Sequence, residues 1–278
     1  MKAAAFAYER PSDLNAALSL MAETDGTAKI LAGGQSLGPM LNLRLVEPDL
    51  IVDITGLAEL KQAERNGDEL VIGACITHGD IEDGRIPDVT RGAMQRVAGA
   101  IAYRAVRNRG TIGGSLSHAD PAADWVSALA ALRTKLRLRS IAGVRDLAVE
   151  EFVTGALESA LQLGEIVEAV RVPVRTPSAR WGYLKACRKP GEFAHAIAAV
   201  LIDPGAATAR VVIGALDAAP IVLSNAAALF GGRITSDFKR QFDARAADAI
   251  LIKAGIASPA DRHVRVTVLR RAINEASA

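Results

Sequence analysis

The residues with the clearest capacity for chemistry lie in a run of small and polar side chains over 110–124. The run contains the Gly113–Gly114 pair between Thr111 and Ser115, and then Asp120–Pro121. Because glycine has no Cβ, the backbone can turn sharply here and present bare N–H groups. Asp120–Pro121 is typical of a helix N-terminus, where Asp caps free N–H groups and Pro suits the first helical position. The run predicts a loop entering a helix, which either holds a phosphate or polar cofactor or makes a tight turn before a core helix.

A second loop of the same kind lies earlier in the chain. The apolar run 29–32 is followed by the Gly33–Gly34 pair, Gln35 and Ser36. Neither loop fits the Rossmann pattern, and neither has the Gly-Lys-Ser/Thr sequence of a nucleoside triphosphate-binding loop. Two such loops in one chain suggest two clamps on one extended ligand, such as a dinucleotide. Helix capping is the simpler alternative for Gln35 and Ser36.

Alternating helices and strands must position the loop that contains Gly33 and Gly34. Helical spacing predicts a helix over 12–23, apolar runs predict strands over 29–32 and 50–54, and a short helix is expected over 36–43. This alternation indicates a small α/β lobe, which we place at residues 1–57.

The loop that contains Gly113 and Gly114 belongs to a longer unit, residues 58–175, which we predict to be a second lobe. Its predicted elements are strands over 69–73, 135–139 and 166–172 and helices over 79–83, 89–98 and 121–131. The middle strand alternates apolar and basic residues, as a half-exposed strand does.

A linker over 175–180 leads into a third unit, which we place at residues 176–278. Turn residues separate three candidate strands of an antiparallel meander, over 181–188, 195–202 and 209–216. The pattern then becomes helical and predicts three helices, over 221–230, 236–253 and 258–274. The chain is therefore expected to be an α+β protein with two lobes and a C-terminal domain that contains a three-stranded antiparallel sheet and three helices.

Composition narrows the classes of function. The 278 residues include 33 basic and 31 acidic ones without a Lys/Arg block, which argues against nucleic acid as the main partner. No apolar run approaches the ~20 residues of a membrane span, and Met1–Pro11 lacks the apolar segment of a secretory signal, so we expect a cytoplasmic protein. Cys75 and Cys187 cannot form a Cys₄ iron–sulfur site, and the four histidines show no metal-ligand spacing. Any redox cofactor is therefore organic or belongs to a partner.

Four segments resemble the FAD-binding medium subunit of molybdenum hydroxylases, in particular the aerobic carbon monoxide dehydrogenase type. They are 6–11, Ala32–Leu37, Arg107–Ser115 and Ala119–Asp124, and the resemblance covers nearly the whole chain. Xanthine dehydrogenase carries the same module inside a longer chain. The resemblance implies a two-lobed FAD-binding fold of the p-cresol methylhydroxylase type, a non-covalent FAD between the lobes, and a C-terminal domain of the carbon monoxide dehydrogenase flavoprotein type.

The resemblance also implies which residues lie at the cofactor. Both glycine motifs would approach the pyrophosphate, Asp124 would hydrogen-bond the cofactor, and Lys185 would lie near the isoalloxazine, where a cation favours the negative charge that reduction adds. Relatives carry Tyr where this chain has Phe193, so a ring can stack there but no phenol hydroxyl is available. The residues placed at FAD are Leu31, Ala32, Gly33, Gly34, Gln35, Ser36, Leu37, Ile101, Ala102, Gly110, Thr111, Gly113, Gly114, Ser115, Asp120, Ala123, Asp124, Ile166, Lys185 and Phe193.

Some of these residues also have a purely structural interpretation. Asp124 can stabilise a helix N-terminus through the helix dipole, Ile101 can be a core residue, and Lys185 can be a solvated strand lysine. His118 follows the second glycine motif, but the resemblance implies no covalent bond to the flavin.

The sequence shows no substrate-oxidising machinery, so no catalytic residue and no metal ligand is predicted. The resemblance implies that a large subunit hydroxylates the substrate at a molybdenum cofactor and that a small subunit carries two [2Fe–2S] clusters. Electrons would then reach the FAD, which would pass them to NAD⁺, a quinone, a cytochrome or oxygen. We expect a dimer of such heterotrimers. Two alternatives stay open: a self-contained FAD-dependent oxidase or dehydrogenase, which needs its own base beside the flavin, and a flavin-free assembly scaffold.

Overall fold

A parallel three-stranded sheet begins the computed structural model, which describes residues 2–24, 26–232, 234 and 237–277. Its elements are β1 Ala7–Glu9, α1 Leu14–Glu23, β2 Ala28–Leu31, α2 Leu37–Asn42 and β3 Leu50–Asp53. The strand order is β1-β3-β2, and both pairs are parallel. The central strand β3 is buried along its whole length, as its continuous apolar run predicts. The predicted strands and helices of this segment are confirmed to within two residues at each end.

An antiparallel five-stranded sheet follows, in the order β4-β5-β10-β6-β7. The elements of this segment are β4 Ala63–Asn66, β5 Glu69–Gly73, α3 His78–Glu82, α4 Ala93–Ala100, α5 Arg104–Arg107, α6 Ile112–His118, α7 Asp124–Ala131, β6 Lys135–Ser140, β7 Gly143–Ala148, α8 Val149–Phe152, β8 Val153–Gly155, β9 Glu158–Ser159 and β10 Ile166–Pro173. The strands predicted at 69–73, 135–139 and 166–172 are β5, β6 and β10. All three lie next to one another in the sheet.

The helix α7 is the centre of the protein core. All eight of its residues are buried, and Trp125 is completely inaccessible to solvent. A helix that is apolar on all sides must be covered on all sides. One side of α7 packs on α4 and α8, and another packs on the C-terminal sheet described next. The segment that precedes α7 is also joined to the end of a strand of that sheet, since the Ala215 N–H donates to Pro121 O at 3.1 Å.

The C-terminal sheet has four antiparallel strands, not the predicted three. They are β11 Arg180–Ala186, β12 Ala196–Asp203, β13 Thr208–Gly214 and β14 Ile221–Leu223. The fourth strand occupies the start of the helix predicted over 221–230, and it pairs with Val211–Ile213 of β13. Two β-branched residues after Pro220 favour an extended edge strand over a helix. Only a 3₁₀ turn at Ala227–Phe230 remains of that predicted helix.

Three helices follow the C-terminal sheet: α9 Phe238–Gln241, α10 Ala244–Lys253 and α11 Pro259–Ala276. The helix predicted over 236–253 is divided at Asp243, whose carboxylate accepts from the N–H groups of Arg245 and Ala246 and so begins α10. The first residue of that predicted helix, residue 236, lies outside the described residues. The helix α11 covers the sheet at close range, since a Cβ built on Gly182 of β11 would lie 1.8 Å from the carbonyl oxygen of Ala272.

The fold class is α+β, as predicted. The three larger sheets lie within residues 7–53, 63–173 and 180–223, and the division into domains stays a prediction. Over the part of the chain that the structure describes, no helix is long and apolar enough to cross a membrane. The same residues include no group of three or more His, Cys, Asp or Glu side chains that could hold a metal ion.

Candidate functional site

An elongated cavity of about 490 Å³ is lined by residues from all three sheet-containing segments. Every residue that the sequence predicts at a cofactor lines this cavity, except Leu31. Leu31 ends β2, and its Cδ1 lies 3.2 Å from the position of a Cβ built on Gly34. It therefore supports the first glycine loop from behind. Motifs that are far apart in sequence therefore line the same cavity.

The first glycine loop, residues 33–37, connects β2 to α2 and presents a row of backbone donors. Gly34 has a φ of 70°, in the left-handed region that favours glycine. A turn of this kind can bring successive N–H groups to one concave side, where they bind anions. Within the described chain, none of the N–H groups from Gly33 to Leu37 donates to a protein acceptor. The loop therefore has the donors that a phosphate group needs.

Helix capping does not account for Gln35 and Ser36. Ser36 makes no side-chain cap bond to α2, and Gln35 Nε2 donates to the carbonyl oxygen of Gly33 at 3.0 Å. The capping alternative is therefore wrong, and both residues line the cavity.

The second glycine motif is a helix, where a loop was predicted. Thr111 is the N-cap of α6 and accepts from the Gly114 N–H at 3.1 Å, so Gly113 and Gly114 lie in the first turn. The bare N–H groups predicted here are occupied: Gly113 donates to Ala74 O and Ser115 to Thr111 O, each at 3.0 Å. Glycine is needed for close packing instead, since a Cβ on Gly113 would lie 2.5 Å from Ala74 Cβ.

The prediction that Asp120–Pro121 begins a helix is also wrong. Asp120 Oδ1 accepts from the Ala122 N–H at 2.8 Å, which closes a local turn. The helix α7 begins later, at Asp124, and its N-cap Ala123 provides no side-chain cap. The turn nevertheless places Asp120 and Ala123 on the cavity wall.

The two glycine motifs pack directly on each other. A Cβ built on Gly33 would lie 2.1 Å from Arg109 O, and one on Gly110 would lie 2.9 Å from the imidazole of His78. Backbone atoms cannot move away as the end of a flexible side chain can, so Gly33 must be glycine for this approach. The contact joins the first sheet-containing segment to the second beside the cavity.

A buried polar cluster consists of Asp124, Tyr183 and Lys185, of which Asp124 and Lys185 line the cavity. Lys185 Nζ lies 2.9 Å from an Asp124 carboxylate oxygen and donates to Ala100 O at 2.8 Å, while the Tyr183 hydroxyl donates to Asp124 at 2.6 Å. The side chains of Lys185 and Asp124 are only 11% and 8% exposed. Burial raises the pKa of Asp124, and the Lys185 ammonium opposes that rise. Lys185 is therefore not a solvated strand lysine, and Asp124 does more than stabilise the start of α7.

The ligand class follows from a comparison with known proteins. A family model described as "FAD binding domain in molybdopterin dehydrogenase" matches residues 4–175. The chain belongs to this family. Caffeine dehydrogenase subunit beta of Pseudomonas sp. (strain CBB1) is 38% identical over 203 residues, which cover 73% of this chain and 69% of that protein. The carbon monoxide dehydrogenase medium chain of Hydrogenophaga pseudoflava is 31% identical over 260 residues, which cover 92% and 88%.

The same relationship extends to three dimensions. A solved structure of carbon monoxide dehydrogenase from Hydrogenophaga pseudoflava matches this FAD-binding chain with a TM-score of 0.86 and 29% identity, covering 99% of this chain and 98% of that chain. The protein is therefore an FAD-binding medium subunit of the molybdenum hydroxylase type, and it is an oxidoreductase component.

The residues that line this cavity suit FAD chemically. The free N–H groups of residues 33–37 match the anionic pyrophosphate. Gly114 faces the first glycine loop at close range, since a Cβ built there would lie in van der Waals contact with Ala32 Cβ, at 3.7 Å. Ile101 and Ile166 supply apolar wall. Ile101 also packs on the main core, which confirms its structural interpretation, while its place at the cofactor stays a prediction. The Phe193 ring stands 69% exposed on the cavity lining, where it can cover a flat ring system.

The sequence analysis missed several further residues that line the cavity. Lys29 and Met40 come from the first segment, His78 and Glu165 from the second, and Glu192 from the third. No local pattern marks His78, because its hydrogen-bond partner Trp125 lies 47 residues away.

Replacing His78 by Asn should weaken the acid sensitivity of the FAD-free protein. Burial, together with the Arg107 guanidinium, lowers the pKa of His78 to about 4. In the unfolded chain the pKa of a histidine is about 6.5. At pH values between the folded and the unfolded pKa, the unfolded chain binds a proton that the folded chain does not, so stability falls as the pH falls through this window. We expect His78 to account for about 2–3 kcal/mol of lost unfolding free energy between roughly pH 7 and pH 4.5. Urea unfolding of wild type and His78→Asn at both pH values measures it.

Carboxylates titrate in the same window in both proteins, so only the difference between the two reports on His78. Asn keeps an acceptor for the Trp125 N–H but does not titrate. Equal losses of stability in the two proteins would show that His78 is not buried in its neutral form.

Proposed function

We propose that this chain is the electron-relay subunit of a heterotrimeric molybdenum hydroxylase. It receives electrons from [2Fe–2S] clusters on a small partner subunit and passes them to an external acceptor. The clusters are reduced by substrate oxidation at a molybdenum cofactor on a large partner subunit. The names of the relatives support this proposal, because they describe a subunit of caffeine dehydrogenase and a medium chain of carbon monoxide dehydrogenase.

The proposal rests on the ion pairs that the carboxylates lining the cavity form with cationic side chains. A chain that oxidises its own organic substrate needs a free base beside the flavin. Three of the lining carboxylates are instead held by cations, and Asp120 is engaged in its own turn. The ion pairs are Asp124 with Lys185 at 2.9 Å, Glu165 with Arg145 at 2.7 Å and Glu192 with Arg188 at 3.3 Å.

The residues of the chain bind and orient the cofactor, and they set its electrostatic surroundings. When FAD is bound, it supplies a carrier that accepts electrons from one partner and releases them to another. The N–H groups of residues 33–37 hold the pyrophosphate, and Gly33 fixes that loop against Arg109. Lys185 provides a positive charge at the cavity wall, which its partner Asp124 partly offsets.

The proposed assembly is a dimer of heterotrimers in the cytoplasm. Cys75 and Cys187 are both free, which suits a reducing compartment. The mass of the co-expressed complex by sedimentation equilibrium tests the assembly. Two copies of each subunit are expected, and a single heterotrimer would contradict the dimer.

The purified FAD-loaded chain should not oxidise caffeine, nicotine or carbon monoxide by itself. It should nevertheless take electrons from a reduced [2Fe–2S] protein and pass them to an artificial acceptor, because the cofactor is held and the described carboxylates that line the cavity are all engaged. Anaerobic stopped-flow absorbance at the flavin band measures both reactions.

Two outcomes would contradict the proposal in different ways. Robust oxidation of an organic substrate by the chain alone would favour the self-contained flavoenzyme. Failure to acquire a yellow flavin band after incubation with FAD would favour the flavin-free scaffold.

A further inference from the structure

The imidazole of His78 is held on the cavity wall by contacts on two sides. Its backbone N–H donates to Gly110 O at 2.9 Å, and Thr77 caps the helix α3 that His78 begins. On the ring, Nδ1 accepts from the indole N–H of Trp125 at 3.0 Å. His78 is 5% exposed and Trp125 is completely buried, so the pair has a fixed geometry.

These contacts determine which ring nitrogen carries the proton. An indole N–H can only donate, so Nδ1 of His78 must be the acceptor. Burial and the Arg107 guanidinium keep the ring neutral, since they lower its pKa to about 4. The single proton of the neutral ring therefore sits on Nε2.

The Nε2–H group has no partner among the described residues. Among the described residues, the imidazole makes one hydrogen bond, from Trp125 to Nδ1, and His78 lines the cavity. The Nε2 edge faces the close contact of the two glycine motifs, because a Cβ built on Gly110 would lie 2.9 Å from Nε2. Nε2 is not among the buried side-chain atoms that lack a partner, so it keeps access to the cavity, where an oxygen of a ligand can replace water as its acceptor.

We propose that His78 is an FAD-binding residue whose Nε2–H donates a hydrogen bond to an oxygen of the cofactor. Trp125 holds the tautomer, so the donor is in place before the cofactor arrives. The inference rests on FAD as the occupant of the cavity. It goes beyond the electron-relay function, because it assigns a donor that neither glycine motif contains.

Two substitutions separate this role from a purely structural one. The side-chain amide of Gln can place an N–H donor near the position of Nε2, whereas the shorter Asn can place an acceptor near that of Nδ1. If the donor binds FAD, His78→Asn should weaken FAD affinity about tenfold, the scale of one lost hydrogen bond, and His78→Gln should retain most of the affinity. Flavin fluorescence quenching measures both dissociation constants, and ADP as a competitor shows whether the acceptor lies in the ADP half or the flavin half.

The opposite order, with His78→Asn binding normally and His78→Gln impaired, would mean that His78 serves only Trp125 and would overturn the proposal. Equal affinities of both variants and wild type would overturn it as well. If wild type itself bound no FAD, the cofactor assignment would fail instead, which is a distinguishable result.

A measurement on the wild-type chain guards against variants that fold poorly. Labelling the four histidines with ¹⁵N gives a small set of ring signals. The His78 Nε2–H proton should exchange with water in the FAD-free protein and become protected, with a shifted nitrogen resonance, when FAD is added. An unchanged exchange rate and resonance would contradict the hydrogen bond.

Discussion

Gly114→Val should weaken FAD binding about 100-fold while the protein keeps its secondary structure. Gly114 faces the first glycine loop, since a Cβ built on it would lie 3.7 Å from Ala32 Cβ. The two further methyl groups of Val would extend into the space between the motifs, where the pyrophosphate is expected. Titration with FAD, followed by fluorescence quenching, measures the affinity, and circular dichroism checks the fold.

The same Cβ would also lie 2.8 Å from Thr111 Oγ1, so the helix cap of α6 needs a separate control. Thr111→Val removes the cap oxygen but adds no bulk at residue 114, and it should cost about 1 kcal/mol of stability. Gly38→Ala is the matched control outside the cavity, because no atom lies within 4 Å of a Cβ built there. Full FAD affinity in Gly114→Val, or an equal loss in Gly38→Ala, would disprove the role of Gly114.

Lys185→Met should destabilise the protein by about 3 kcal/mol and lower the flavin midpoint potential. Asp124 lies 8% exposed with its carboxylate 2.9 Å from the Lys185 ammonium, so the substitution leaves a buried carboxylate without its cation. Removal of a positive charge near the flavin also disfavours the negative charge that reduction adds. Urea unfolding measures the stability, and a redox titration of the FAD-loaded protein measures the potential.

Variants of Asp124 separate these two effects. The double variant Asp124→Asn/Lys185→Met removes both charges and should recover much of the lost stability, because no unpaired charge remains buried. Asp124→Asn alone leaves the ammonium uncompensated and should raise the potential above that of wild type. A midpoint potential that stays the same in all three variants would show that this ion pair is only structural.

Local sequence patterns determined many of the strands of this protein and the position of the first glycine loop. The run Glu69–Gly73 forms a strand with the predicted ends, because a short apolar run that contains the β-branched residues Val71 and Ile72 favours a strand. Ser258 before Pro259 begins a long helix, as a capping residue followed by Pro predicts. The motif resemblance identified the family, and the residues carried over from it, apart from Leu31, line one cavity.

Only the tertiary structure decided how the donors and charges of the site are used. The Gly113–Gly114 pair became helical because Ala74 approaches it and accepts the Gly113 N–H, which no local pattern encodes. Lys185 pairs with Asp124 across 61 residues, and His78 with Trp125 across 47. Such contacts depend on which elements the fold brings together around α7. The sequence by itself therefore indicated many of the residues that line the cavity, whereas the packing of distant elements decided which of their polar groups are left for a ligand.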